Sequence, residues 1–179
     1  MNPFVVISGC SGGGKSSLIQ ELARRGYAVV EEPGRRIVAE ERAAGGRALP
    51  WTDLAAFARR AIAVAAADRT SHEGAGDWVF FDRGLVDVAV ALAHATAADR
   101  LDPTVTRNPY HRAMFMAPPW PEIYETDDAR LHSLDEAVAE YDRLLPAYRD
   151  LGYDITFLPK IGIEDRADFV VERLAMRRR

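Results

Sequence analysis

A three-layer α/β protein, with helices on both faces of a parallel sheet (α-β-α), is the fold this sequence predicts, and two observations carry the prediction. Short apolar runs bounded by Gly, Pro or Asp alternate along the 179 residues with longer segments of helical periodicity. Such alternation implies parallel strands joined by crossover helices. The runs are also continuously apolar, as strands buried on both faces require.

The first run, 4–7 (Phe-Val-Val-Ile), leads through a glycine-rich turn into a helix over 15–24 with Leu18, Ile19 and Leu22 on one face. Gly26 is placed to cap that helix. Strands follow at 28–31, 78–81, 113–117 and 155–158; the third ends on Asp82, the fourth stops at Pro118-Pro119 and the fifth at Pro159. Helices are expected near 35–44, 53–70, 85–97, 134–150 and 164–177, with Thr52 as N-cap of the second of these and Ser133 of the fourth. No repeat, low-complexity linker or boundary interrupts the pattern, so residues 1–179 read as a single domain.

Residues 9–16 read G-C-S-G-G-G-K-S and fit the pattern G-x-x-x-x-G-K-S/T between a buried strand and an amphipathic helix. Gly9, Gly12, Gly13 and Gly14 let the backbone turn tightly enough for successive N–H groups to face inward around phosphates. Lys15 reaches the β- and γ-phosphates, and Ser16 offers a hydroxyl to Mg²⁺. Ser11 and Ser17 complete the expected nucleotide-binding set, and the helix points its positive N-terminus at the same place. The segment reads as a site for ATP and Mg²⁺. Cys10 lies within it, so a bulky thiol reagent is expected to compete with ATP.

Composition narrows the alternatives. The net charge is −4, from 23 basic and 27 acidic residues, which gives no electrostatic support to nucleic-acid or membrane-surface binding. Cys10 is the single cysteine and the four histidines show no ligand spacing, so an internal disulfide and cysteine-based metal clusters are excluded. No apolar stretch reaches the roughly 20 residues that span a bilayer, and Met-Asn-Pro-Phe is no signal peptide. The chain reads as a cytoplasmic protein.

In an open parallel sheet, ligands sit beyond the carboxyl ends of the strands. There the second strand delivers Glu31-Glu32-Pro33-Gly34-Arg35-Arg36, and the third delivers Asp82-Arg83-Gly84. An apolar strand ending in Asp beside a phosphate loop is the Walker B arrangement, so Asp82 is the candidate Mg²⁺ carboxylate, with an N-cap for helix 85–97 as its other reading. Arg83 suits a bidentate clamp on phosphate. Glu32 is the candidate general base, preferred to Glu31 because the residue after the strand faces the crevice. Arg35 or Arg36 would hold an anionic part of the acceptor.

The segment 118–133 carries three prolines and suits a lid. Arg130 is its candidate for stabilising transition-state charge; Trp120 and Tyr124 either pack beneath the closed lid or anchor an ordinary loop. After the fifth strand, Lys160 is placed to line the adenine, and Arg166 opens the final helix towards the same pocket. The closing run 177–179 reads as a helix end favoured by the helix dipole.

The order G-C-S-G-G-G-K-S, E-E-P-G-R-R, F-F-D-R-G-L-V-D, D-D-A-R and L-G-Y-D-I-T-F-L-P, with Arg166 following, resembles small bacterial P-loop ATP-binding proteins. These AAA-type domains are akin to the nicotinamide riboside kinase domain of the NadR regulator and, more distantly, to nucleoside and nucleotide kinases. The resemblance implies the kinase-type strand order 2-3-1-4-5 and ATP with Mg²⁺ as ligands. It also implies Glu32 and Asp82 near the transferred phosphoryl group and Arg130 in a lid. It leaves the acceptor open.

One departure bears on that acceptor. Gln20, on the first helix, is the single glutamine, and deoxynucleoside kinases use a helical glutamine to read the base. An anionic or polyol acceptor, or a nicotinamide-like ring, is expected instead. Other P-loop classes fall away on residues: no N-K-x-D, D-x-x-G or L-S-G-G-Q element occurs. An AAA+ motor is set aside because no helical lid domain follows the fifth strand. Two readings remain, a small-molecule kinase and a nucleotide-dependent switch whose signal is ATP occupancy.

Overall fold

The computed structural model describes residues 2–124 and 133–177. Its elements run β1 (Phe4–Gly9), α1 (Lys15–Arg24), β2 (Ala28–Val30), α2 (Pro33–Ala44), α3 (Leu54–Ser71), β3 (Val79–Asp82), α4 (Leu85–Thr96), α5 (Thr104–Arg107), β4 (Ala113–Ala117), α6 (Leu134–Asp150), β5 (Asp154–Phe157) and α7 (Ile163–Arg177). All strand pairs are parallel and the sheet order is β2-β3-β1-β4-β5. The predicted fold class and the implied strand order are both present.

Alternation along the central strands sends successive side chains into two separate apolar layers. Val5 and Ile7 of β1 pack with Leu18, Ile19 and Leu22 of α1 and with Ala167, Val170 and Leu174 of α7. Phe4 and Val6 pack on the opposite face with Leu85, Val86 and Ala89 of α4 and with Leu144 and Tyr148 of α6. Both faces of β1 are therefore covered, which is why its sequence is apolar without interruption. Among the described residues, no helix is long and apolar enough to cross a membrane.

Several boundaries differ from expectation for local reasons. β2 ends at Val30, and α2 starts at Pro33, two residues early, because proline pre-sets the dihedral of a first helical turn. Asp53, not Thr52, caps α3: its carboxylate accepts from the Ala56 N–H at 2.9 Å. Ser133 caps α6 as expected and exchanges hydrogen bonds with Glu136. Gly84, rather than Asp82, occupies the N-cap of α4. The short α5 and a 3₁₀ turn at Pro121–Ile123 were not anticipated.

The register sets the active edge. Ile7 lies opposite Asp82, and Gly9 opposite Ala117. The carboxyl ends of β1, β3 and β4 thus reach the same level, where the turn after β1 meets the residue that closes β3.

Candidate active site

Between β1 and α1 the chain wraps into a compact loop, with Gly9, Gly12 and Gly14 at φ of 120°, 77° and 73°. At Gly9 the requirement is doubled, because a Cβ there would stand 2.2 Å from the Ala117 carbonyl oxygen. The Cys10 N–H donates to that carbonyl at 2.9 Å and tethers the loop to β4. The Cys10 side chain is buried in the core at 1% exposed. The expected contest between thiol reagent and ATP therefore has no accessible thiol to work on.

Lys15 is buried, and its Nζ donates to the carbonyls of Cys10 at 2.7 Å and Gly9 at 3.2 Å. Burial, assisted by the nearby Arg83 charge, lowers its pKa to about 8 against the opposing pull of Asp82, Glu32 and Glu140. Ser16 Oγ donates to Asp82 Oδ2 at 2.7 Å. Asp82 is 3% exposed, and its Oδ1 is buried without a hydrogen-bond partner among the described residues. Burial, then repulsion from Glu32, pushes its carboxyl above the usual range. Ser11 is buried in the loop, whereas Ser17 is exposed on α1.

Around Arg83 four elements converge. Its backbone is left-handed (φ 65°), a conformation an arginine adopts at a modest cost. The guanidinium reaches Glu32 Oε1 at 3.2 Å, Asp87 Oδ1 at 3.2 Å and Glu140 Oε1 at 2.9 Å. Burial opposes its charge, but Glu140, Glu32, Asp87 and Asp82 together hold it protonated well above the usual arginine range. Asp87 is itself enclosed: Ser8 Oγ donates at 2.5 Å, the Tyr148 hydroxyl at 2.7 Å and the Gly84 N–H at 2.9 Å. Glu32 also lies 3.6 Å from Arg35. Glu31 is exposed, and Arg36 turns away to pair with Asp68 of α3.

The Glu32–Arg83 pair opens onto a cavity of about 400 Å³ between α2, α3, α4 and α6, within the usual size of small-molecule sites. Ser11, Glu32, Arg83 and Asp87 lie at its phosphate-loop end, and Val38, Trp51, Leu54 and Phe57 form an apolar wall. Glu140 and Arg143 of α6 complete it. Sequence reading missed Asp87, Glu140, Arg143, Trp51 and Phe57. Of these, only Asp87 left a trace, as an acidic residue in the first turn of a predicted helix.

On the other side of the loop, Arg166 is fully buried and its Nη1 donates to the Gly13 carbonyl at 3.0 Å. Its guanidinium carbon stands 5.6 Å from the centre of the Trp120 ring, while Nε and Nη2 are buried without hydrogen-bond partners among the described residues. Burial lowers its pKa. The Tyr124 ring lies against Gly12, 2.4 Å from where a Cβ would be. Trp120 and Tyr124 therefore both pack on the phosphate-loop side; most of the segment expected to form a lid over them lies outside the described residues. Lys160 is exposed in the loop after β5, and Arg130 lies outside the described residues.

A glycine-rich loop joining the central strand to the first helix, on a sheet of order 2-3-1-4-5, makes this a P-loop NTPase fold of the kinase type. The chain belongs to the AAA domain family, whose model matches residues 4–166. A search of curated proteins finds no match. Among solved structures, the chain is similar to NadR protein in complex with NR, at 20% identity and a TM-score of 0.70 over 90% of this chain and 46% of that one. It is also similar to shikimate kinase from Acinetobacter baumannii in complex with shikimate, at 17% identity and a TM-score of 0.61 over 99% and 95% of the two chains. Deoxyadenosine kinase from M. mycoides with bound dATP is similar at 14% identity and a TM-score of 0.56, over 96% and 98%. At such identities the likeness is one of fold.

Proposed function

We propose that the chain acts as one domain that transfers the γ-phosphoryl group of ATP to a hydroxyl of a small molecule. The observation that carries this is a single juxtaposition: Ser11 of the phosphate loop, Glu32 and Arg83 line one cavity of about 400 Å³. A nucleotide-dependent switch needs the loop but not the cavity.

The residues present suit Mg²⁺. The Ser16 hydroxyl and the unpartnered Asp82 Oδ1 are hard oxygens of the kind this ion takes. Held by these two residues, Mg²⁺ would supply charge neutralisation for the phosphates during transfer. Lys15 and the loop N–H groups hold the triphosphate, with Gly9, Ser11, Gly12, Gly13, Gly14, Ser16 and Ser17 supplying the cradle. Lys160 and Arg166 are assigned to the nucleotide on the Trp120 side, and Arg130 to the transition-state charge.

Glu32 accepts the hydroxyl proton of the acceptor. The hydroxyl oxygen bonds to the γ-phosphorus as the bridging P–O bond to the β-phosphate breaks, and ADP leaves with that electron pair. Arg83 orients Glu32 through the 3.2 Å contact to Oε1, and Oε2, which faces Arg35 Nε at the longer distance of 3.6 Å, is assigned as the basic atom. The test is Mg-dependent ADP release across nucleosides, nucleotides, nicotinamide riboside, sugars and hydroxy acids. Release that rises sharply with one acceptor supports the reading. Tight ATP binding with slow turnover and no responsive acceptor replaces it with the switch.

A further inference from the structure

Each charged side chain lining the cavity has a hydrogen-bond or ion-pair partner among the described residues, with one exception. Four carboxylates reach it: Glu32, Asp87, Glu136 and Glu140. Glu32 and Glu140 are held by Arg83 at 3.2 and 2.9 Å. Asp87 is enclosed by Ser8, Tyr148 and the Gly84 N–H, and Glu136 accepts from the Ser133 N–H at 2.7 Å. Among the cavity's arginines, Arg35 and Arg83 face Glu32 at 3.6 and 3.2 Å. Arg143 stands apart. It lines the cavity half-buried, with no hydrogen bond or ion pair to a described residue.

A guanidinium cannot shed its charge at any ordinary pH, and its planar fork matches an oxyanion. On α6, Arg143 follows Glu140 by three residues, so its backbone lies about 4.5 Å further along the helix than the residue that grips Arg83. The cavity thus has a polar end at Glu32 and Arg83, an apolar wall at Val38, Leu54 and Phe57, and, displaced along α6, a guanidinium with no hydrogen bond or ion pair among the described residues. A guanidinium with donors to spare beside apolar surface suits an oxyanion carried on a hydrophobic body.

We propose that the phosphoryl acceptor is itself an organic anion, with a hydroxyl at the Glu32 end, a ring or aliphatic body on the apolar wall, and a carboxylate or phosphate bound by Arg143. This rests on the phosphotransferase reading of the same site.

The test uses three probes of one shape: 4-(hydroxymethyl)benzoate, 4-(hydroxymethyl)phenyl phosphate and the uncharged 4-(hydroxymethyl)benzamide. Each is titrated calorimetrically into the full chain and assayed for ADP release with Mg-ATP. The expected result is saturable binding of at least one anion, with the amide at least about 10-fold weaker; the stronger anion names the oxyanion. Arg143→Gln should weaken the anion on the order of 10- to 100-fold while leaving the amide and Mg-ATP unchanged. Arg143→Lys, which keeps charge without the fork, should fall between and guards against a misfolded Gln variant.

The proposal is overturned if the amide binds as tightly as the anions, if neither anion binds, or if Arg143→Gln binds them as well as the unaltered chain. Loss of Mg-ATP affinity in Arg143→Gln also overturns it, by assigning the residue to the nucleotide. Anion binding that requires Arg143, without ADP release from any probe or panel acceptor, keeps the anion site and removes the phosphotransferase reading. ADP release with the amide alone does the reverse.

Discussion

The Ser16 hydroxyl donates a 2.7 Å hydrogen bond to Asp82 Oδ2, joining the first turn of α1 to the last residue of β3 across 66 positions of sequence. The bond holds one carboxylate oxygen and leaves the other buried with no hydrogen-bond partner among the described residues. On the proposed reading, Asp82→Asn should weaken both Mg²⁺ dependence and nucleotide affinity, because one residue serves the metal and through it the β- and γ-phosphates. Mg²⁺ titration of ATP binding measures both, and wild-type Mg²⁺ dependence in the variant removes Asp82 from the metal site.

Glu32→Gln should separate cleanly from that variant. The amide keeps size and can still face Arg83, but it cannot take a proton. Turnover with the true acceptor should fall about 10²–10⁴-fold while Mg-ATP affinity hardly changes. Full turnover would pass the role to Glu31, despite its exposed position.

Lys15→Ala should abolish measurable ATP affinity while leaving the circular dichroism spectrum unchanged. Each charge-assisted contact to phosphate contributes on the order of 1.5–3 kcal/mol. Equal calorimetric affinities in variant and wild type would falsify the phosphate-loop assignment.

Asp87 carries a prediction about stability rather than turnover. It is 3% exposed and accepts from Ser8, Tyr148, Gly84 and Arg83. Asp87→Ala removes the buried carboxylate that Ser8, Tyr148 and the Gly84 N–H share, while Arg83 keeps Glu32 and Glu140, and should cost about 3–5 kcal/mol in urea unfolding. Tyr148→Phe removes one bond to the same carboxylate and should cost about 1.5–3 kcal/mol. Similar losses in the two variants would mean that Asp87 does not hold the cluster together.

Glu21 gives a pH dependence remote from the site. Hydrogen bonds from Arg24 and then Arg25 hold its carboxyl at about 2, below its ordinary 4.5. A folded pKa below the unfolded one stabilises above the unfolded value and loses that stabilisation as the pH falls through the folded one. Glu21→Gln should therefore melt below wild type at neutral pH, with the gap closing between pH 4.5 and 2. A gap that stays constant across that range would show that Arg24 and Arg25 do not set the carboxyl.

What sequence could show, and what it could not, divides by physical range. The loop at 9–16 was legible because its chemistry is packed into eight consecutive residues between two elements of opposite periodicity. Asp82 and Glu32 were legible because strand ends in a parallel sheet share one edge. Thr52 and Asp53 both cap helices well, and a local pattern cannot decide between neighbours. Glu140, Arg143 and Trp51 owe their places to how α6 and the α2–α3 connection dock on the sheet. Nothing in their own neighbourhoods encodes that docking.

The first glycine of the phosphate loop answers to β4 before it answers to any ligand. A chain descended from this one could give up nucleotides, let Lys15 drift, and still be obliged to keep Gly9, since a side chain there would pry the two central strands apart. Glycine at that place is a mark of architecture. The lysine six residues later is the part of the motif whose loss or retention speaks about chemistry.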